Sequence, residues 1–293
     1  MSQTEKRDPR KGAKPPFGEQ EQSLPGSDAD LEPHADHGEK SYRGTGKLED
    51  LATVVTGGDS GIGRAVALAF AREGADVLIS YLDEHSDAEE TVNAVEETGR
   101  HALSVAGDVG DPAHCHELVQ RAVGEFGHLE ILVNNAAYQA TYDSITEIPT
   151  DEIERVFRTN LFAQFYLCQA AIPHMKAGSS IINTASVQAY DPSPGLIHYA
   201  VSKGAIRTFT QALAQQLIEQ GIRVNAVAPG PVWTPLIAMS FDGDEVSEFG
   251  KQSPMGRPAQ PAELAPVYVF LASDESRYIV GDVIGVTGGT PLA

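Results

Sequence analysis

Tyr199 and Lys203 stand four residues apart in a stretch patterned as a helix, which puts both side chains on one helical face. A phenol in water gives up its proton only near about pH 10. A neighbouring ammonium favours the phenolate, so a tyrosine placed this way can exchange a proton with a substrate hydroxyl close to neutral pH. Alone, the pair reads as easily as two packing residues. Ser186 follows the expected strand residues Ile181–Ala185 and so lies at the carboxyl end of a strand. Doubly wound α/β sheets hold their ligands at that end. Its hydroxyl can hold a substrate oxygen, although serine is also common in turns. Asn160 lies inside a helical stretch, where asparagine competes with the backbone for hydrogen bonds. It marks either an exposed position or a local distortion that holds a water in a proton path.

A glycine-rich segment, Thr56-Gly57-Gly58-Asp59-Ser60-Gly61-Ile62-Gly63, joins a strand to a helix. Gly57, Gly61 and Gly63 allow a tight turn and close backbone approach to a pyrophosphate, and the helix beyond offers free N–H groups. The pattern lacks the lysine of a nucleoside-triphosphate loop. The second strand ends in Ser80-Tyr81-Leu82-Asp83-Glu84, where an adenosine ribose would be met. No arginine is placed for a 2′-phosphate, and Asp83 and Glu84 would repel one. NAD is therefore the expected cofactor and NADP the second choice, although Tyr81 replaces the acidic residue that grips a 2′-hydroxyl.

The elements that must position these groups alternate regularly. Strands are expected at Ala52–Thr56, Asp76–Tyr81, Ala102–Ala106, Ile131–Asn134, Ser180–Ala185, Arg223–Ala228 and Asp282–Thr287. Helices are expected at Gly61–Arg72, Ser86–Thr98, Pro112–Phe126, Asp151–His174, Tyr199–Glu219 and Pro261–Ser273. Repeated β-α-β units with apolar strands imply a parallel, doubly wound Rossmann-type sheet with helices on both faces. The chain divides into an arm over 1–45 and one α/β domain over 46–293. The arm is polar and proline-rich, with few large apolar residues (Phe17, Leu24, Leu31 and Tyr42). It is either a disordered tail or an extended segment docked on the body or on a neighbouring subunit.

The 293 residues carry a net charge of −20, which disfavours nucleic acid as a partner. The charged opening around Glu5, Lys6, Arg7 and Asp8 lacks a secretory pattern, and no apolar run is long enough for a bilayer. The two cysteines, Cys115 and Cys168, have neither redox-motif nor zinc spacing, so a cytoplasmic protein is expected. His114, Cys115 and His116 would point apart on a helix, and no metal site is expected.

In register, Thr56-Gly57-x-x-x-Gly61-Ile62-Gly63, Asp108-Val109, Asn134-Asn135-Ala136, Asn160, Ser186, Tyr199-x-x-x-Lys203 and Pro229-Gly230 resemble the short-chain dehydrogenase/reductase family, in its single-domain branch. The likeness runs from about Lys47 onward. With Gly38-Glu39-Lys40 ahead of the fold, it is similar to a bacterial subgroup of general-stress and glucose 1-dehydrogenase-like proteins. The resemblance implies Tyr199 as acid/base, Lys203 lowering its pKa and holding the nicotinamide ribose, Ser186 on the carbonyl and Asn160 in the water relay. It implies cofactor contacts at Gly57, Asp59, Ser60, Gly61, Ile62, Gly63, Tyr81, Leu82, Asp108 and Val109. Further contacts fall at Asn135, Ala136, Ala137, Pro229, Gly230, Val232 and Thr234. Ala137 departs from the family's usual glycine.

The expected reaction is hydride transfer between nicotinamide and an alcohol or carbonyl carbon of a small ketone, sugar or polyol. Ser186, Gln188, Tyr199 and Trp233 are expected to meet the substrate, with Tyr138, Gln139 and Val187 completing the wall. The segment Trp233–Met255 would form a mobile lid. The alternative is a cofactor-binding stress or redox-sensing protein with little turnover. Resemblance also implies a homotetramer packed through the helices at Asp151–His174 and Tyr199–Glu219 and the last strand.

Overall fold

The computed structural model describes residues 8–292. Glu5, Lys6 and Arg7 of the charged opening, and Ala293 at the end of the expected domain, lie outside the described residues. Seven parallel strands form one sheet: β1 (Ala52–Thr56), β2 (Asp76–Tyr81), β3 (Ala102–Ala106), β4 (Ile131–Asn134), β5 (Ser180–Thr184), β6 (Arg223–Pro229) and β7 (Val283–Val286). Their order is β3-β2-β1-β4-β5-β6-β7. The chain runs outward from β1 to one edge and then returns to β4 on its other side. A crevice opens where the order reverses, above the carboxyl ends of β1 and β4.

Helices α1 (Gly61–Arg72), α2 (His85–Glu96), α3 (Pro112–Phe126), α4 (Thr150–Phe157), α5 (Ala163–Ala171) and α6 (Ile197–Leu217) follow in turn. The short helices α7 (Pro235–Ala238) and α8 (Gly243–Ser247) precede α9 (Pro261–Ala272). On one face Phe70 of α1 and Leu264 and Tyr268 of α9 pack on β1 and β5 residues such as Val55 and Ile182. On the other, Leu118, Leu167 and Leu213 cover Val54, Leu132 and Ile181. β1, β4, β5 and β6 are buried along their whole lengths, as strands covered on both faces of a parallel sheet are. Local signals set the helix ends: Asp111 caps α3 through the Ala113 amide at 2.9 Å, and Gly127 closes it in the left-handed region.

Two expected elements differ. The single helix over Asp151–His174 is broken into α4, a π-helical turn at Arg158–Phe162 and α5, then a 3-10 turn at Ile172–His174. The break is centred on Asn160, whose side chain bonds outside its own helix. The lid over Trp233–Met255 carries α7 and α8.

Residues 8–50 contain no helix or strand, yet they lie along the body. Leu31 and Leu48 are fully buried, and the Phe17 ring lies 4.2 Å from that of Trp233. The buried Glu73 carboxylate, just past α1, accepts the Tyr42 hydroxyl at 2.5 Å and the Thr45 and Lys47 amides at 2.7 and 3.0 Å. Arg72 donates to the carbonyls of Gly38, Glu39 and Tyr42.

Candidate active site

A cleft of about 630 Å³ opens above the carboxyl ends of the strands. That volume is ordinary for a ligand pocket. One end is floored by the glycine loop. Gly57 has φ +60°, and a Cβ there would stand 3.1 Å from the Ala136 backbone; Gly61 has φ +49°, and a Cβ would meet the Thr234 side chain at 2.9 Å. Only glycine fits both the backbone and the space. Asn135 fastens this loop to the sheet, donating from its side chain to the carbonyls of Thr56 and Gly57, both at 3.1 Å. Thr56 Oγ1 accepts the Asn135 and Ala136 amides at 3.0 Å.

At the other end α6 brings Tyr199 and Lys203 onto one face, beneath Ser186 at the end of β5. All three are buried side chains that line the cleft. The Tyr199 hydroxyl is hydrogen-bonded to Ser186, and the Ser186 hydroxyl accepts the Gln188 amide at 3.1 Å. Lys203 Nζ donates to the Thr184 carbonyl at 2.8 Å and lies 5.4 Å from the Tyr199 ring centre. Burial pushes Tyr199 up to about 12, only partly offset by the Ser186 hydrogen bond. Burial pulls Lys203 down to about 7. The expected lowering of the phenol by this ammonium is thus absent from the protein alone: desolvation dominates, and Lys203 is turned toward a carbonyl.

Asn160 is fully buried and does not line the cleft. Its Oδ1 accepts the Tyr138 amide at 2.8 Å, and its Nδ2 donates to the Tyr138 carbonyl at 2.9 Å and to Ser202 Oγ at 3.0 Å. Ser202 in turn donates to the Tyr199 carbonyl at 2.6 Å. The π turn therefore ties the loop after β4 to the helix that carries Tyr199. Such turns gather at functional sites.

The cleft brings together the expected cofactor residues Gly57, Asp59, Ser60, Gly61, Ile62, Tyr81, Leu82, Asp108, Val109, Asn135, Ala136, Ala137, Pro229, Gly230, Val232 and Thr234. Gly63 is not on its surface; a Cβ there would lie 1.8 Å from the Gly57 carbonyl oxygen, so its task is close packing of α1 on the loop. Ser186, Gln188, Tyr138, Gln139 and Val187 form the expected wall, with Leu236, Met239 and Phe241 from the lid.

Trp233 corrects the expectation of a substrate contact. It is fully buried away from the cleft, against Phe17 and Leu31 of the arm, and its indole donates to the Pro33 carbonyl at 2.7 Å. An apolar stripe had two surfaces to serve, and the arm covers the one that carries the tryptophan. His114, Cys115 and His116 diverge. Cys115 is buried with its thiol on the Val109 carbonyl, and His114 packs over Gly107. Sequence reasoning missed Leu24, Pro25 and Gly26, which line the cleft from the arm, and Arg155 and Arg158, which line it from α4 and the π turn. The Arg155 guanidinium lies 4.2 Å over the Tyr138 ring. The helical spacing of the two arginines beside Asn160 was the available signal; the arm offered none.

A family model described as enoyl-(acyl carrier protein) reductase matches residues 57–291. The chain belongs to the short-chain dehydrogenase/reductase family and is an oxidoreductase. General stress protein 39 of Bacillus subtilis is 50% identical over 265 residues, covering 90% of this chain and 93% of its own length. Glucose and ribitol dehydrogenase of Daucus carota is 44% identical, covering 92% of this chain and 95% of its own. A short-chain dehydrogenase from Burkholderia cenocepacia, solved in complex with NADP, superposes with a TM-score of 0.79. It is 32% identical and covers 83% of this chain and 98% of its own. Among the described residues, no helix is long and apolar enough to cross a membrane.

Proposed function

We propose that the domain over 46–293 oxidises or reduces a small alcohol, ketone or sugar-like substrate, with Tyr199 as the acid/base. The observation that carries this is the Ser186–Tyr199 hydrogen bond, with Lys203 beneath it, in the same cleft that the glycine loop floors. The left-handed glycines of that loop make a cradle that fits a dinucleotide, held by the loop, Tyr81, Asp108, Asn135, Val232 and Thr234. When bound, the nicotinamide supplies or accepts the hydride, and its oxidised form adds positive charge beside the phenol. Tyr199 gives its proton to the substrate oxygen, or takes one from it, and Ser186 holds that oxygen. Asn160 fixes α6 and the Tyr138 wall, so that these distances persist, and supports the proton relay beyond Tyr199.

The preferred cofactor is NAD. No basic side chain lines the cleft beside Tyr81 and Leu82, and Asp59 and Glu84 do. The lid and wall mix Gln139, Gln188, Phe241 and Met239, a surface suited to a polyol or small ketone, and a sugar substrate accords with the carrot relative's name. The enzyme works in the cytoplasm as a homotetramer. Phe162, Phe165 and Val201, each more than two-fifths exposed, leave an apolar face along the π turn, α5 and α6 for subunit contact. A monomer mass by light scattering at micromolar concentration would remove the tetramer.

Tyr199→Phe tests the chemistry. Dinucleotide binding should survive while turnover on polyols and sugars falls about a thousandfold, within the range of acid–base catalysis. Loss of neither, or failure of the wild type to bind NADH and NADPH, overturns the reading.

A further inference from the structure

The lid does not hold its own shape. Its helices α7 and α8 have four and five residues, too short to persist without outside support. Yet Leu236, Met239, Phe241 and Phe249 of this stretch line the cleft, so its inner face is part of the site. The body supports it at Ser240. Thr141 Oγ1 donates to the Ser240 carbonyl at 3.1 Å, and Ser240 Oγ donates to the Gln139 carbonyl at 3.4 Å.

The arm supports the same stretch, and meets it in reverse chain order. The Phe17 amide donates to the Ser247 carbonyl at 2.8 Å, and Ser247 Oγ donates to the Phe17 carbonyl at 2.9 Å. Glu21 Oε1 accepts the Gly243 amide at 3.1 Å, and the Gln22 amide donates to the Ala238 carbonyl at 2.9 Å. Gly26 lies against Pro235, whose side chain a Cβ would meet at 3.0 Å. The Pro33 carbonyl accepts the Trp233 indole at 2.7 Å. The arm therefore advances from residue 17 to residue 33 while the lid recedes from 247 to 233, two segments side by side in opposite directions. Between them Leu31, Trp233 and Val246 are fully buried, with Phe17, Phe241 and Phe249 packed around them. Phe241 and Phe249 belong to this cluster and also line the cleft, so the lid is a single layer between arm and cleft.

We propose that residues 17–33 are a strap that keeps the lid folded over the cleft before substrate arrives, and that Phe17, Glu21, Gln22 and Leu31 are positioning residues for the substrate wall. None of these four lines the cleft. They act through Leu236, Met239, Phe241 and Phe249, which do. With the strap loosened, the lid spends part of its time unfolded, and substrate affinity falls in proportion to the time the wall is missing. Ser186, Tyr199, Lys203 and the glycine loop sit on the sheet and its helices, so the chemical step and dinucleotide binding are spared. The consequence for substrate rests on the reading of the cleft given above; the strap itself does not.

Amide hydrogen exchange on the full-length protein, read by mass spectrometry, tests the strap in wild type, Leu31→Ala and Glu21→Ala. Leu31→Ala empties the centre of the arm–lid cluster. Peptides within 236–249 should then exchange about tenfold faster or more, while those of α6 and the glycine loop keep their wild-type rates. Glu21→Ala removes one exposed acceptor, leaves the packing alone, and should speed exchange around Gly243 about threefold. Kinetics with ribitol or glucose as the probe separate positioning from mere packing. In Leu31→Ala the KM for the probe should rise about three- to tenfold, with kcat and the dissociation constants of NADH and NADPH held within about twofold. Equal exchange over 236–249 in wild type and both variants, or exchange there in the wild type as fast as in an unfolded chain, overturns the strap. Faster exchange with an unchanged KM overturns the positioning role. A lid that behaves as expected in a wild type that turns over neither ribitol, glucose nor small ketones would instead overturn the substrate reading and leave the strap standing.

Discussion

The α/β domain and the arm reach order by opposite routes. In the domain, backbone hydrogen bonds run between adjacent parallel strands and within helices, and apolar side chains fill both faces of the sheet. Among the described residues of the arm there is neither strand nor helix, and much of the backbone is held from outside by side chains of the body. Glu73 and Arg72 grip residues 38–47, Gln260 and Asp87 hold Asp36 and Asp28, and Arg257 reaches the Pro9 carbonyl at 2.7 Å. The domain pattern repeats from strand to strand. The arm depends on a few anchors, each serving one stretch. A chain without secondary structure can thus be placed closely enough to wall a cleft, provided that buried groups on the body spend their hydrogen bonds on it.

The largest effect expected on the domain side is at Lys203. Its folded value of about 7 lies below the ordinary lysine value of 10.5 because the ammonium is desolvated. Below the folded value both states are protonated and the fold bears the full penalty. Between the two values the unfolded chain holds a proton that the folded chain lacks, so stability rises with pH across that window. Lys203→Met should therefore stabilise the protein at neutral pH by an amount on the order of a few kcal/mol, and flatten the rise in melting temperature toward alkaline pH. Turnover should fall by about a hundredfold or more, since the cation beneath Tyr199 is lost. A variant that melts lower than wild type at pH 7 would show that the Thr184 hydrogen bond outweighs the desolvation, and that this end of the cleft is built for stability.

Legibility in the sequence follows the same division. The seven strands and the glycine loop were readable because each is a local pattern: an apolar run, a turn residue, a helix start. Ser186, Tyr199 and Lys203 were readable because strand ends and four-residue helical spacing place side chains by simple geometry. Asn160 was readable as an anomaly, but its partners were not. The π turn that aims it at Tyr138 and Ser202 arises from tertiary bonds to residues 22 and 42 positions away. The depressed Lys203 and raised Tyr199 were also hidden, because depth of burial is a property of packing. Trp233 was misplaced for a related reason. Periodicity shows that a side chain is buried, and cannot tell a cleft from the underside of an arm some 200 residues earlier in the chain. Leu24, Pro25 and Gly26 had no periodic neighbours at all, so nothing local distinguished a cleft wall from a linker.

A smaller effect, and the one that most directly tests the separation of arm from domain, is expected at Phe17. Its ring stacks on Trp233, its amide donates to the Ser247 carbonyl at 2.8 Å, and Ser247 Oγ donates back to its own carbonyl at 2.9 Å. Phe17→Ala removes the ring and leaves the two backbone bonds, so the local loss is about 1–3 kcal/mol, at or below the usual cost of truncating a buried aromatic. Phe17 packs against the small cluster of Trp233, Leu31, Ile237, Ala238 and Val246, which is separate from the two cores of the sheet. Trp233 emission should shift to the red and residues 8–30 should become open to limited proteolysis, while the thermal midpoint of the domain moves by only a few degrees. If the midpoint instead falls by well over ten degrees together with the tryptophan signal, the arm and the sheet melt as one cooperative unit. The contrast between them would then be one of construction only, with no separate stability behind it.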